Sequence, residues 1–468
     1  MAFIRADREQ IFLLPPSLRE WLPEQDLAWF IIDAVAQMDL SRFYARYRAD
    51  GGGHPAYDPA MMVTLLLYSY CLGERSSRRI ERLCERDIAY RVITGNRAPD
   101  HATIARFRQA FEKELAELFA GVLRLCAEAG LVKVGVVALD GTKIKANAAL
   151  AANRTYASIE EEVRRWLKEA QAIDEEEDRL FGPDGRGDEL PPELADRRSR
   201  LFRLKECKER LEREAAQAAA AQQAKVEAAK AEEAATGRKR RGRKPKAPDP
   251  RPMDAKANVT DPDSRIMKTR SGYVQGYNAQ AVVTEDRIIV AAEVTQEEND
   301  VHQLHPMLTK AKENLAAAGC QGRIKAVVAD AGYFSEANVS QADPRGPELF
   351  IATTKGSKQR KAVREKPAPR GRIPADLSLR ERMERKLLTK RGRAIYSKRG
   401  STVEPVFGQI KVGRGCERFM RRGLSACASE WQLICAAHNL LKLWKGLKAR
   451  VNHGATRGRG VVGQVCWA

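Results

Sequence analysis

The chain has 468 residues, with 82 Lys and Arg against 62 Asp and Glu, giving a net charge of +20 and a pI near 9.6. Its length suits several domains of roughly 100 to 200 residues each, and its charge favours polyanions over neutral or acidic partners. No apolar run reaches the roughly 18 residues of a spanning helix, and the opening "MAFIRADREQ" lacks a secretory core, so a soluble, cytoplasmic, nucleoid-associated protein without membrane partners is expected.

Residues 1–130 carry apolar clusters at helical spacing, as in "DPAMMVTLLLYSYCLGERSSRRIERLC", where Gly73 offers a stop and Ser76 and Ser77 a start. Pro99 and Asp100 then open an amphipathic helix expected to run unbroken to Gly130. A helical N-terminal domain follows. Its arginines Arg78, Arg79, Arg82, Arg106 and Arg108 suit either a helix-turn-helix DNA reader or the solvated face of a packing or dimerisation domain.

Residues 131–149 contain the apolar strand "VGVVALD", expected to end in Asp140 and to be followed by Gly141, Lys143 and Lys145. Residues 150–258 are rich in Ala, Glu, Lys and Arg with apolar positions three or four apart, interrupted by "GPDGRGDELPPE". That pattern predicts a long antiparallel helical hairpin inserted after the first strand. The hairpin ends in an arm, residues 238–246, with seven basic residues in nine. There Arg240, Arg241 and Arg243 could follow phosphates or enter a narrow minor groove, in a stretch that resembles an AT-hook core, or could simply be a solvated linker.

From residue 259 to 352 the period changes to two. "GYNAQAVVTEDRIIVAAEVT" reads as two strands turning at Glu285 and Asp286, followed by a helix capped by Asn299 or Asp300, a strand "IKAVVAD" ending in Asp330, and a shorter strand "ELFIATT". Residues 353–394 form a basic linker, 395–447 the closing helices, and 448–468 a tail expected to be disordered. Between Lys355 and Arg422 there are 22 basic and six acidic residues, which should make a strongly salt-dependent DNA surface. The fold class expected is α/β with a mixed sheet.

"VGVVALD" and "IKAVVAD" share one plan, a buried strand ending in an acid. Laid parallel and adjacent, they would bring Asp140 and Asp330 to one carboxyl edge, where a divalent cation would relieve their repulsion. Each Asp alone could equally cap a turn. A third acid, Glu404, lies in "YSKRGSTVEPVFGQIKVG", where Ser401 or Thr402 could cap a helix with Pro405 in its first turn and Lys411 two turns on. His302 and His305, three apart without an acid or thiol nearby, read as packing or surface residues, as Trp431 and Trp444 read as core. Nine scattered cysteines without a CxxC pair read as reduced packing residues.

Taken in order, "HPAYDPAMMVTLLLY", "PDHATIARFRQ", "LDGTKIKANAA", "GYNAQAVV", "VVADAGYFSE" and "VEPVFGQIK" resemble the insertion-sequence transposases with an RNase H-like DDE catalytic domain. The resemblance implies an RNase H-like core with a helical N-terminal domain and the hairpin insertion. It implies that Asp140, Asp330 and Glu404 are the catalytic, metal-binding triad. Tyr396, Arg399, Glu404 and Lys411 resemble the family's Tyr-x2-Arg-x3-Glu-x6-Lys signature, with four residues here between Arg399 and Glu404. Also implied are two Mg2+ or Mn2+ ions roughly 3.5–4 Å apart, cleavage at element ends and strand transfer into target DNA. Lys143 and Lys145 would meet the phosphates, and holding two DNA ends would call for a homodimer. The acids alone would equally serve a nuclease without strand transfer, and the chain could also be an inactive DNA-binding relic.

Overall fold

The computed structural model describes residues 17–47, 56–166, 168, 199–236, 254–269, 272–320, 322–354, 361, 365–374 and 376–455. Two compact units emerge: residues 1–144, 278–420 and 425–468 form the first, and residues 145–277 with 421–424 the second.

The first unit begins with helices. α1 (Leu27–Ala36) is capped by the Asp26 carboxylate on the Ala28 amide, and a short α2 (Ser41–Tyr44) follows. α3 (Pro59–Cys71) starts from Asp58 with Pro59 at its first position, and nearly all its residues are buried, which makes it the centre of this helical layer. It stops where Gly73 takes φ 81°, against the Arg414 carbonyl, as the sequence suggests. α4 (Ser77–Arg86) and α5 (Ile88–Ile93) come next. The helix expected from Asp100 to Gly130 is broken into α6 (His101–Ala110) and α7 (Glu112–Glu128). Phe111 leaves helical geometry at the break and packs its ring 5.2 Å from Phe43 and 4.7 Å from Phe107. Arg108, one of the expected surface arginines, is buried and donates to the Arg75 carbonyl at 2.8 Å; Arg78, Arg79, Arg82 and Arg106 are exposed.

β1 (Val136–Lys145) crosses from the first unit into the second. The second unit contains β2 (Asn153–Thr155), the helix α8 (156–166), the long α9 (Arg200–Thr236), β3 (Lys256–Asn258), antiparallel to β2, and β4 (Arg265–Thr269). Its small core joins Tyr156, Ile159 and Val163 to Leu204, Cys207 and Leu211 and to Ala257 and Val259. Beyond Ala215 no residue of α9 is buried among those described, consistent with its Ala, Glu and Lys composition. The connector of the expected hairpin and the basic arm with Arg240, Arg241 and Arg243 lie outside the described residues.

β5 (Gly272–Thr284) returns the chain to the first unit and pairs antiparallel with β6 (Ile289–Thr295), the expected two-stranded turn, with Arg287 at φ 65° inside it. α10 (Leu304–Ala317), β7 (Ala326–Ala329), α11 (Glu336–Ser340) and β8 (Glu348–Ile351) follow. The strands lie in the order β6, β5, β1, β7, β8, with β1, β7 and β8 parallel, so the sheet is mixed, as the sequence predicts. α12 (Leu379–Leu388), α13 (Lys390–Gly408) and α14 (Leu424–Ala455) complete the unit. α14 runs eight residues into the segment expected to be disordered from 448, and its buried Trp431 donates Nε1 to the Gln280 carbonyl at 3.0 Å. No helix among the described residues is long and apolar enough to cross a membrane. The described cysteines are all free, and all but Cys320 are buried.

Candidate active site

Leu139 of β1 stands opposite Ala329 of β7 in parallel register, so the next residue on each chain is an acid, Asp140 and Asp330, side by side. Asp330 ends its strand as expected: its Oδ1 accepts from the Gly332 amide at 2.8 Å and caps a short turn, Ala331–Tyr333. Asp140 does not end its strand. β1 continues five residues to Lys145, because Gly141 leaves room for the polar side chains of β5 alongside. A Cβ at 141 would lie 2.6 Å from Asp300 Oδ1 and 2.9 Å from Asn278 Oδ1.

Glu404 arrives from α13. The sequence places a helix start at Ser401 or Thr402, but α13 begins at Lys390, capped by the Thr389 hydroxyl on the Gly392 amide, and Pro405 sits inside it. Proline deprives the carbonyl four residues earlier of its helical donor. That carbonyl belongs to Ser401, and it accepts from Arg287 Nε at 3.1 Å, which lets the helix continue through Glu404. The helix then loosens into a π turn, Gln409–Gly413, that carries Lys411. Lys411 Nζ donates to Thr142 Oγ1 at 3.2 Å and to the Lys143 carbonyl at 3.0 Å, tying the helix end to β1 beside the acids.

The three acids meet at one guanidinium. Arg399 Nη2 lies 2.7 Å from Asp140 Oδ2 and 3.9 Å from Asp330 Oδ2, and its Nη1 lies 3.4 Å from Glu404 Oε1. Asp140 is nearly closed off from solvent, whereas the Asp330 and Glu404 side chains are about half exposed, at 41% and 55%. Burial pushes the Asp140 carboxyl up to about 7, against the pull of Arg399. Arg399 is itself raised above its usual value, because Asp140 and Asp330 outweigh its desolvation. Tyr396, one turn before Arg399 on α13, is half-buried and adds to that field.

Lys143 turns inward. Its Nζ donates to the Glu298 carbonyl and stands 3.9 Å from Asp300 Oδ1, and burial lowers its pKa. Lys145 is exposed and belongs to the second unit. Asp300 is a fourth acid, one that the sequence pattern offers, with Asn299, only as a helix cap. In the structure α10 is preceded by a 3-10 turn, Val301–Gln303, and the Asp300 side chain makes no cap bond. Its Oδ1 instead accepts from Asn278 Nδ2 and Gln280 Nε2, each at 2.7 Å. The signal was present in "YNAQAVV": two amide side chains at alternate positions of a buried strand need a polar partner.

Two family models match the chain: a transposase domain (DUF772) over residues 16–110 and a transposase DDE domain over residues 359–444. Comparison with curated proteins and with solved structures gave no match. Together the two matches support an insertion-sequence DDE transposase. The DDE-domain match spans α12, α13 and most of α14, and so includes Tyr396, Arg399, Glu404 and Lys411; Asp140 and Asp330 lie outside both matched segments.

DDE transposase domains generally use divalent metal ions. Among the described residues no three of His, Cys, Asp and Glu are grouped closely enough to share an ion; around Arg399 the acids are gathered on a guanidinium instead. The donor chemistry nevertheless fits a hard cation, since the acids gathered on Arg399 offer only carboxylate oxygens. The fully buried Asn278 also leaves its Oδ1 without a hydrogen-bond partner next to Asp300. An acceptor oxygen in that condition favours a positive neighbour.

Proposed function

We propose that this transposase binds the terminal inverted repeats of its own mobile element, cleaves double-stranded DNA at the element ends and joins the freed 3′ ends to target DNA, with Asp140, Asp330 and Glu404 as the catalytic acids. The observation that carries the reading is the convergence of these three carboxylates, from two adjacent parallel strands and a C-terminal helix, on one positive group. The antiparallel pair β5–β6 on one side of β1 and the parallel strands β7 and β8 on the other support an RNase H-like core.

Bound between the acids, two Mg2+ or Mn2+ ions would supply an activated oxygen nucleophile and stabilise the leaving oxygen of an in-line phosphoryl transfer. The chain's own residues prepare that chemistry. Burial pushes the Asp140 carboxyl up to about 7 even with Arg399 beside it, so a divalent cation bound there would hold it in its charged form. Arg399, relieved of the acids, is placed to pair with a DNA phosphate bidentately, as its planar fork allows. Lys411 fixes the end of α13 on β1 and so keeps Glu404 facing the aspartates. Tyr396, Lys145 and the arginines Arg240, Arg241 and Arg243 extend the DNA contact, and the exposed Arg78, Arg79, Arg82 and Arg106 of the helical layer suit the recognition of ends. Two ends held at once require two copies of the chain, a homodimer on DNA.

The test is excision of a marked element, flanked by the DNA that borders this gene, in cells carrying wild type or Asp330→Asn. Excision and joined product with wild type alone are expected. Cleaved ends without joined product would replace the reading with a nuclease. No excision by either, with flank binding retained by the purified protein, would make the chain an inactive relic.

A further inference from the structure

We propose that Asp300 is a fourth carboxylate of this site, presenting its Oδ2 to the cation held by Asp140 and Asp330, with the Asn278 amide oxygen beside it as a neutral ligand. The inference rests on the DDE reading and adds to it residues from a different part of the sheet, the outer edge reached through β5 and the segment after β6.

The two oxygens of Asp300 have different surroundings. Oδ1 is saturated: Asn278 and Gln280, both fully buried on β5, each donate to it at 2.7 Å. Gln280 is fixed in turn, because its own amide oxygen accepts from the Tyr333 hydroxyl, so its amide nitrogen must point to Asp300. Oδ2 faces the other way. A Cβ at residue 332 would lie 3.2 Å from Asp300 Oδ2 and 3.0 Å from Asp330 Oδ1, so the two carboxylates flank the same backbone point. Glycine at 332 is what lets them share it.

The segments carrying these acids are clamped together. Asn338, on α11, donates its amide to the Val301 carbonyl at 2.6 Å and to the Tyr333 carbonyl at 2.9 Å. One side chain thus holds the chain just after Asp300 against the chain just after Asp330. Asn278 supplies the independent observation. Its Nδ2 serves Asp300 and the Glu297 carbonyl, while its Oδ1, without a partner, lies at the same Gly141 position as Asp300 Oδ1. A capping or purely structural aspartate would not need two buried amides to orient it and an orphaned amide oxygen next to it. A negative charge kept this close to Asp330, with Lys143 its only cation within 4 Å among the described residues, is accounted for by a further positive ligand.

The experiment is a Mn2+ titration of the full-length protein, followed by electron paramagnetic resonance of the free ion, for wild type, Asp300→Asn and Asp330→Asn. Thermal melting in EDTA is recorded for each. Asn at 300 can still accept from both β5 amides, so its melting temperature in EDTA should match or exceed that of wild type. Its apparent Mn2+ affinity should fall by about 10- to 100-fold. Asp330→Asn should weaken Mn2+ at least as much. An unchanged affinity for Asp300→Asn beside a weakened Asp330→Asn would remove Asp300 from the site and leave the triad standing. Unchanged affinity in both would remove the DDE reading itself. Should Asp300→Asn melt below wild type in EDTA, Asp300→Ser, which leaves room for water between the amides, is read in the same titration against the same two outcomes.

Discussion

Two arginine–carboxylate assemblies stand in the same unit and differ in how their charge closes. Arg75 meets one acid, Glu430, at 2.9 Å, and both side chains are almost wholly buried, at 7% and 0% exposure. Most of the polar groups around them are matched: Glu430 also accepts from the Met420 amide, and Arg75 also donates to the Arg418 and Gly415 carbonyls, leaving only the Nε of its guanidinium without a partner. Arg399 instead faces three acids, two of them open to solvent, with Asp300 close behind. The first assembly is neutral and fastens the chain after the π turn to the helical layer. The second has surplus negative charge, which destabilises the fold in the absence of a cation and is therefore hard to explain except by function.

That contrast is broken most severely by Asp140→Asn. If the surplus charge serves catalysis, the substitution should lower DNA cleavage on the order of a thousand-fold or more, in line with the several kcal/mol that a bound cation contributes to phosphoryl transfer. The same variant should be more stable than wild type in EDTA, by about 1 kcal/mol, because an ionised buried acid among other acids is removed. A variant that loses stability would show that Asp140 is a structural partner of Arg399. Glu430→Ala should behave in the opposite way. It leaves Arg75 charged and buried without its counter-charge, and should destabilise the protein by about 3–5 kcal/mol in urea unfolding. A loss below 1 kcal/mol would mean that water replaces the carboxylate.

Much of this contrast was readable from sequence, and what was not has a physical cause. Two short apolar runs of like plan placed Asp140 beside Asp330 on the condition that their strands lie parallel and adjacent, and they do, although β1 runs on past Asp140 where the sequence pattern suggests an end. The position of Glu404 was readable too, but its setting was not. Pro405 looks like a helix start, and only the remote Arg287, reaching from the β5–β6 turn, makes it tolerable inside a helix. Asp300 was hidden by an equally local rule, since an acid before an apolar helical run ordinarily caps it. Its partners lie some twenty residues away on a strand, and a cap preference says nothing of them. Phe111 broke a helix that periodicity favoured because three aromatic rings meet there, again a tertiary effect.

The closed side of the comparison also contains a titrating group. His438 of α14 is buried, donates Nε2 to the Arg287 carbonyl at 3.0 Å, and has its pKa lowered to about 3 by burial and by Arg414, Lys442 and Lys445. Its folded value lies below the unfolded one, near 6.5, so the unfolded chain binds the extra proton between them. Stability is therefore fully present above pH 6.5 and lost as pH falls towards 3. At pH 5 the loss from this group should be about 2 kcal/mol. His438→Gln, which retains an amide donor, should flatten the pH dependence of unfolding between 7 and 5; an unchanged slope would place the acid sensitivity elsewhere.

The smallest effect concerns the link between Arg287 and Pro405. The Arg287 bond to the Ser401 carbonyl is near the surface, so Arg287→Ala should destabilise the protein by only about 0.5–1 kcal/mol. Its meaning comes from a double-mutant cycle. Pro405→Ala restores the backbone donor that Ser401 lacks, so in that background removal of Arg287 should have no further effect on stability. Equal losses in both backgrounds would show that Arg287 acts through contacts other than Ser401. Coupling would show that the turn between β5 and β6 supports the helix turn bearing Glu404, and that the site's third acid is held in place by a residue more than a hundred positions away in the chain.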